Sequence, residues 1–277
     1  MPLPLVARKS LRDNQEHLDA AVEKIKAALG VEWTFEIDFE TIMAKVTDSD
    51  YVKNSPGECF YKEVAGYVAE CIDRAAKNEM VKEALIEANT NSKIIVALNE
   101  DKKNSSYWTY KFNNGTLELL FKSICNTSDI CYFKLENIIP TPGVYSLPAR
   151  MNLKAAEEKF NEAFEKIKVA TGADWSLDEA SLEALYPSID KSYQESIGDI
   201  FSEIVEYAAQ NITKRLGDEM VKEAFLELTP NSKLVFKCNP KLGSYWEYAF
   251  QDGNLVISFR SICNTSDVAY YDFEKLL

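Results

Sequence analysis

The residues best equipped for chemistry lie in one segment, SICNTSD, which runs from Ser123 to Asp129 and again, unchanged, from Ser261 to Asp267. A thiol next to Asn, Thr, Ser and Asp could serve as a nucleophile if a neighbouring base withdrew its proton. The sequence offers no such base: His17 is the only histidine, and Lys159 stands at its counterpart in the second half. Cys125 and Cys263 therefore read as buried, inert thiols. The polar half of the segment reads as a turn after a strand, in which Asn126 to Asp129 reverse the chain and Ser128 caps the next element. Arg8 and Arg150, at matching upstream positions, are candidates to pair with this segment or with Glu136 and Glu274.

Other motifs that carry chemistry are missing from the sequence. It contains no HExxH, no CxxC, no GxGxxG and no phosphate-binding loop. Asp48 and Asp50 sit close together, but the glycine and the final glutamate of a calcium loop do not follow, so a helix-end loop is expected there. The 44 acidic residues single out no carboxylate pair by position. No catalytic residue and no metal ligand is assigned, and the cofactor is left unknown.

Composition narrows the partners. A formal charge of −13 repels phosphate backbones and anionic lipid, so nucleic acid and membrane are not expected as partners. The opening MPLPLVARKS has no long apolar run and is not expected to be a secretory signal. The six cysteines fall four in the first half and two in the second. A disulfide framework would have been repeated with the sequence, so free thiols and a cytoplasmic location are expected.

Several segments recur in the same order. EMVKEA occurs at Glu79 and Glu219, NSK at Asn91 and Asn231, SYW at Ser106 and Ser244, and AVEKIK at Ala21 matches AFEKIK at Ala163. The expected architecture is α+β, a tandem duplication of one module. The first copy covers residues 1–139, a linker residues 140–146, and the second copy residues 147–277, with the small drift in spacing assigned to loops.

Each module reads as an N-terminal layer of three to four helices, then a three- to four-stranded antiparallel β-meander and a short C-terminal element. The first helix is expected over Leu11 to Gly30 and the second from a cap at Thr34, with SLDEASLEALY as the capping-box equivalent in the second copy. Ser55, Pro56 and Glu58 suggest a capping box for the third. From Lys93 the apolar period changes to two, with NNG at Asn113 as a hairpin turn. Trp108, Tyr110 and Phe112 then share a strand face, as do Trp246, Tyr248 and Phe250.

The leading expectation is a non-catalytic binding or structural protein whose modules form a pseudo-twofold unit, with a protein partner or self-association. Its candidate binding residues are Arg8, Trp108, Tyr110, Asn126, Asp129, Arg150, Trp246, Tyr248, Asn264 and Asp267. A second expectation is a carrier that holds a small apolar molecule or a cofactor in a cavity between sheet and helices. A third is an enzyme with an unfamiliar site between the modules, sought among residues of one copy only: His17, Asp50, Cys59 and Cys131.

Overall fold

A computed structural model describes residues 3–46, 49–101 and 103–277, so Asp48 lies outside the described residues. The chain divides into two compact units, Met1–Thr141 and Pro142–Leu277. Each mixes helix and sheet and holds one four-stranded sheet. Among the described residues no helix is long and apolar enough to cross a membrane.

The first unit opens with α1 (Leu5–Asp13) and α2 (Gln15–Leu29), where the sequence suggests one helix. The break is Asn14, which leaves helical geometry at φ −111° while its side-chain amide donates to the Ser10 carbonyl at 2.9 Å. Gly30 ends α2 in the left-handed region at φ 79°, which glycine adopts without steric cost. Next come β1 (Thr34–Ile37), α3 (Phe39–Lys45) and α4 (Asp50–Asn54). Thr34 is thus a strand residue rather than a helix cap, because Thr34–Ile37 pairs in parallel with Lys93–Val96. The cap of α3 is Asp38, which accepts from the Thr41 backbone N–H at 3.0 Å and from its hydroxyl at 2.6 Å.

A π-helix, Gly57–Val64, runs directly into α5 (Ala65–Ala75). The expected capping box at Ser55 does not form: Pro56 precedes the π-helix with no side-chain cap. α6 (Glu79–Ala88) leads to β2 (Lys93–Leu98), β3 (Trp108–Asn113) and β4 (Thr116–Phe121), then to 3₁₀ turns at Thr127–Tyr132 and Leu135–Asn137. The expected layer of three to four helices is therefore cut into more segments than its apolar pattern shows.

The sheet is mixed, in the order β1-β2-β4-β3, and is not a meander. β2 lies parallel to β4, while β3 and β4 form the antiparallel hairpin. The loop from Asn99 to Tyr107 is long enough to step past one strand position, so the hairpin folds back and inserts β4 beside β2. The hairpin turn itself matches the sequence. Asn114 at φ 47° and Gly115 at φ 72° give the paired positive angles of a type I′ turn, whose twist suits the flanking strands.

The second unit repeats this order of elements: α7 (Leu147–Ala155), α8 (Glu157–Thr171), β5 (Ser176–Leu177), α9 (Glu179–Leu185) and the short α10 (Lys191–Gln194). α11 (Ile197–Arg215), α12 (Glu219–Leu228), β6 (Lys233–Cys238), β7 (Trp246–Gln251) and β8 (Asn254–Phe259) follow, ending in 3₁₀ turns at Thr265–Tyr270 and Phe273–Leu276. Its sheet runs β5-β6-β8-β7. Ser176, at the head of the expected capping box, is again a strand residue. α11 is α-helical throughout, where the first unit has its π-helix. The first unit holds one residue more between Gly57 and Glu79 than the second holds between Gly198 and Glu219. One change in spacing thus sits inside a helix rather than in a loop, because a π turn absorbs a single extra residue.

In both units the inner sheet face meets the long helix. Ile94, Val96, Tyr110, Leu117, Leu119 and Phe121 are buried with Phe60, Val64, Val68 and Ile72. Leu234, Phe236, Tyr248, Leu255, Ile257 and Phe259 are buried with Phe201, Ile204, Ala208 and Ile212.

Candidate functional site

The repeated segment leaves the central strand, β4 or β8, and becomes an exposed turn. Cys125 and Cys263 are exposed, which corrects the expectation of buried thiols; only Cys59 and Cys71 are fully buried. The reason is the sharp bend after the strand. Asn126 and Asn264 take left-handed backbone at φ 49° and 50°, a conformation Asn tolerates better than most residues, and this turns the side chain before them outward. Asp129 and Asp267 then donate their backbone N–H to the Asn126 and Asn264 carbonyls, both at 2.9 Å. The Asn side chains make no cap bond, and Ser128 lies within the 3₁₀ turn instead of capping it.

A buried tryptophan on one side and a glutamate nearer the surface on the other hold each turn. Trp108 donates its indole N–H to the Cys125 carbonyl at 2.7 Å, and Trp246 donates to Cys263 at the same distance. From the other side, Thr127 donates its hydroxyl to Glu63 at 2.9 Å, and Thr265 donates to Glu203 at 3.4 Å. The second oxygen of each glutamate accepts from a tyrosine: Tyr51 at 3.0 Å on Glu63, and Tyr207 at 3.2 Å on Glu203. Ile130 and Val268 anchor the 3₁₀ turns in the core. Two residues further on, Tyr132 and Tyr270 stand 73% and 77% exposed, the same large ring offered to solvent by both units. Sequence reasoning missed these tyrosines, although each sits three residues after the repeat.

Below the turn the two frames differ. Tyr248 donates to the Val268 carbonyl at 2.9 Å, whereas the buried Tyr110 hydroxyl sits by the Cys71 thiol without a well-directed bond. Burial holds both phenols above their ordinary value. It also pushes the Cys71 thiol up to about 11 and Cys59 up to about 12, the opposite of what a nucleophile needs. Where the first unit has Cys71, the second has Asn211, which donates to the carbonyls of Val268 at 3.0 Å and Tyr271 at 2.9 Å. Arg215 bonds Asn211 at 2.9 Å and pairs with Asp272 and Glu274, both at 2.8 Å.

Eight of the ten candidate binding residues therefore separate into two groups. Asn126, Asp129, Asn264 and Asp267 are exposed on the turns. Trp108, Tyr110, Trp246 and Tyr248 are buried, and they support the turns rather than present surface. Arg8 is exposed on α1 and Arg150 half-buried on α7; the arginine that meets Glu274 is Arg215. Of the residues found in one copy only, His17 lies on α2, Asp50 on α4, Cys59 in the π-helix and Cys131 in the 3₁₀ turn. Among the described residues no cluster of three or more His, Cys, Asp or Glu could hold a metal ion. Comparison with known protein families, curated proteins and solved structures finds no match.

Proposed function

We propose that the chain is a non-catalytic binding or scaffold protein, made of two related modules that arose by duplication, each offering the same turn to a protein partner or to a second copy of the chain. The observation that carries this reading is where the seven-residue identity falls. Packing constrains buried side chains, yet here the exposed Cys125, Asn126, Ser128 and Asp129 recur unchanged as Cys263, Asn264, Ser266 and Asp267. Beneath them Trp108 and Tyr110 recur as Trp246 and Tyr248, while Cys71 is replaced by Asn211. Identity of exposed side chains, which packing in the core does not require, favours a shared contact. Tyr132 and Tyr270 supply the large amphipathic ring that protein interfaces favour. The net charge of −13 favours a neutral or basic partner surface.

The test is native mass spectrometry of the gently purified protein, set against 31.4 kDa for one chain. Multiples of that mass, or a stable complex with another protein, are expected, and Y132E/Y270E should dissolve them. Strictly monomeric protein at high concentration with no bound partner would overturn the reading, as would assemblies indifferent to that double substitution.

A further inference from the structure

The second unit contains a cleft of about 600 Å³ whose lining comes from α7, α8, α9, β5 and the segments just before β5 and α7. It is separate from the turn. Phe160 and Phe164 line it from α8, Trp175 from the chain leading into β5, and Tyr145 lines it with its ring 4.9 Å from Tyr186. Phe160, Phe164 and Tyr145 are half-buried, so apolar ring surface remains open to the cleft. The rim is acidic. Glu157, Glu165, Glu179 and Glu183 line it and are exposed; Glu165 pairs with Lys168 at 4.0 Å, and the other three have no ion-pair partner among the described residues. No lysine or arginine lines it. The Tyr145 phenol lies close enough to Glu183 and Glu179 that, after burial, their charges hold it above its ordinary value.

The first unit lacks these features. Following the repeat, Gln15 stands for Glu157, Leu18 for Phe160, Val22 for Phe164, Phe39 for Glu179 and Met43 for Glu183. Phe39 is buried and meets the Tyr61 ring edge-on at 5.7 Å. Tyr61 belongs to the π-helix and lies near Asp19 of α2, so a ring fills the space between α2 and α3. The second unit, without the extra residue, brings no such ring to its cleft.

From the open aromatic lining and the three unpaired carboxylates at the rim, we infer that the cleft of the second unit binds an organic ammonium ion carrying an aromatic body. The rings take the body and face the cation, which the negative faces of aromatic rings attract. The glutamates supply opposite charge at the mouth. The volume lies within the usual range for small-molecule sites and admits a bicyclic body. This inference goes beyond the proposed contact of the turns and stands independently of it.

The experiment is calorimetric titration of the full chain with tryptamine and with tryptophol, which replaces the ammonium by a hydroxyl on the same body. Tryptamine should bind saturably at a single site and about tenfold or more tighter than tryptophol. E179Q/E183Q, which changes only exposed side chains, should bring the two affinities together, and F164A should weaken both. Equal binding of amine and alcohol would overturn the inference. So would absence of saturable binding, or a preference that survives E179Q/E183Q.

Discussion

Replacing Trp246 by Phe tests whether the buried indole holds the exposed turn. Trp246 is 2% exposed, its N–H reaches the Cys263 carbonyl at 2.7 Å, and its ring lies 5.5 Å from Phe259. Phenylalanine keeps a ring in the slot and removes the donor. Because Cys263 is exposed, water can take over part of the lost bond, so this loss costs about 1 kcal/mol rather than the full penalty of a buried orphan. The smaller ring forgoes roughly 40 Å² of apolar burial, about 1 kcal/mol. Incomplete collapse around the gap adds up to about 1 kcal/mol more. W246F should therefore lower the stability of its unit by about 2–3 kcal/mol in urea unfolding followed by far-UV circular dichroism. Hydrogen exchange in residues 261–270 should quicken by about tenfold or more, since the turn loses its one indole tether. A stability change below about 0.5 kcal/mol, the ordinary scatter of surface substitutions, would refute the frame argument. Unaltered exchange in the turn would refute it equally.

Further predictions concern the rest of the frame. A Cβ at Gly57 would run into the Ser10 carbonyl, and one at Gly198 into the Asn152 carbonyl, so G57A and G198A should each destabilise by about 2–3 kcal/mol. G66A, where a Cβ meets nothing within 4 Å, should instead stabilise by about 0.5–1 kcal/mol; thermal unfolding of the three variants reads both signs. Cys59 favours its neutral thiol in the fold, so its contribution is complete below the unfolded thiol value near pH 9 and is lost as pH rises toward about 12. C59A should flatten the loss of stability across that alkaline window, as measured by urea midpoints at stepped pH. R215M should cost about 1–2 kcal/mol and speed exchange in residues 271–277, because it removes the link between Asn211, Asp272 and Glu274.

The features legible in the sequence were those set by local chemistry. Asn-Gly fixed the β3–β4 hairpin through the positive angles of Asn114 and Gly115, and Gly30 marked the end of α2. Trp108 and Tyr110 alternated onto the buried face as period two requires. What escaped was set by distance. The parallel pairing of β2 with β4 depends on where the loop after β2 lands, and nothing in the alternation of either strand records its neighbour. β1 was hidden because Thr34–Ile37 is short and takes its conformation from pairing with Lys93–Val96, far along the chain. The exposure of Cys125 follows from the left-handed Asn126, and a strand ending in Cys looks the same in sequence whether or not the bend comes after it. The exposed Tyr132 and Tyr270 could have been found: each sits beside a repeated segment but outside the apolar pattern that the core requires.

The π-helix connects these observations. An extra residue in an α-helix turns every later side chain by about 100°, which would carry Glu63 away from Thr127 and Val64 away from the sheet. By widening a single turn the π-helix confines the extra residue to its own span, so Gly57 keeps its close approach to Ser10 and Glu63 still accepts from Thr127 at 2.9 Å. Glu203 accepts from Thr265 in the second unit without any such device. The geometry that supports the turn is thus kept in both units despite unequal helices, while Tyr61, carried in that widened turn, packs on Phe39 in the first unit alone. One local change leaves the support of the turn intact and makes the units differ at the place where the second has its acidic aromatic cleft. That is the pattern the proposed function calls for: one contact kept on both units and a second site on one of them.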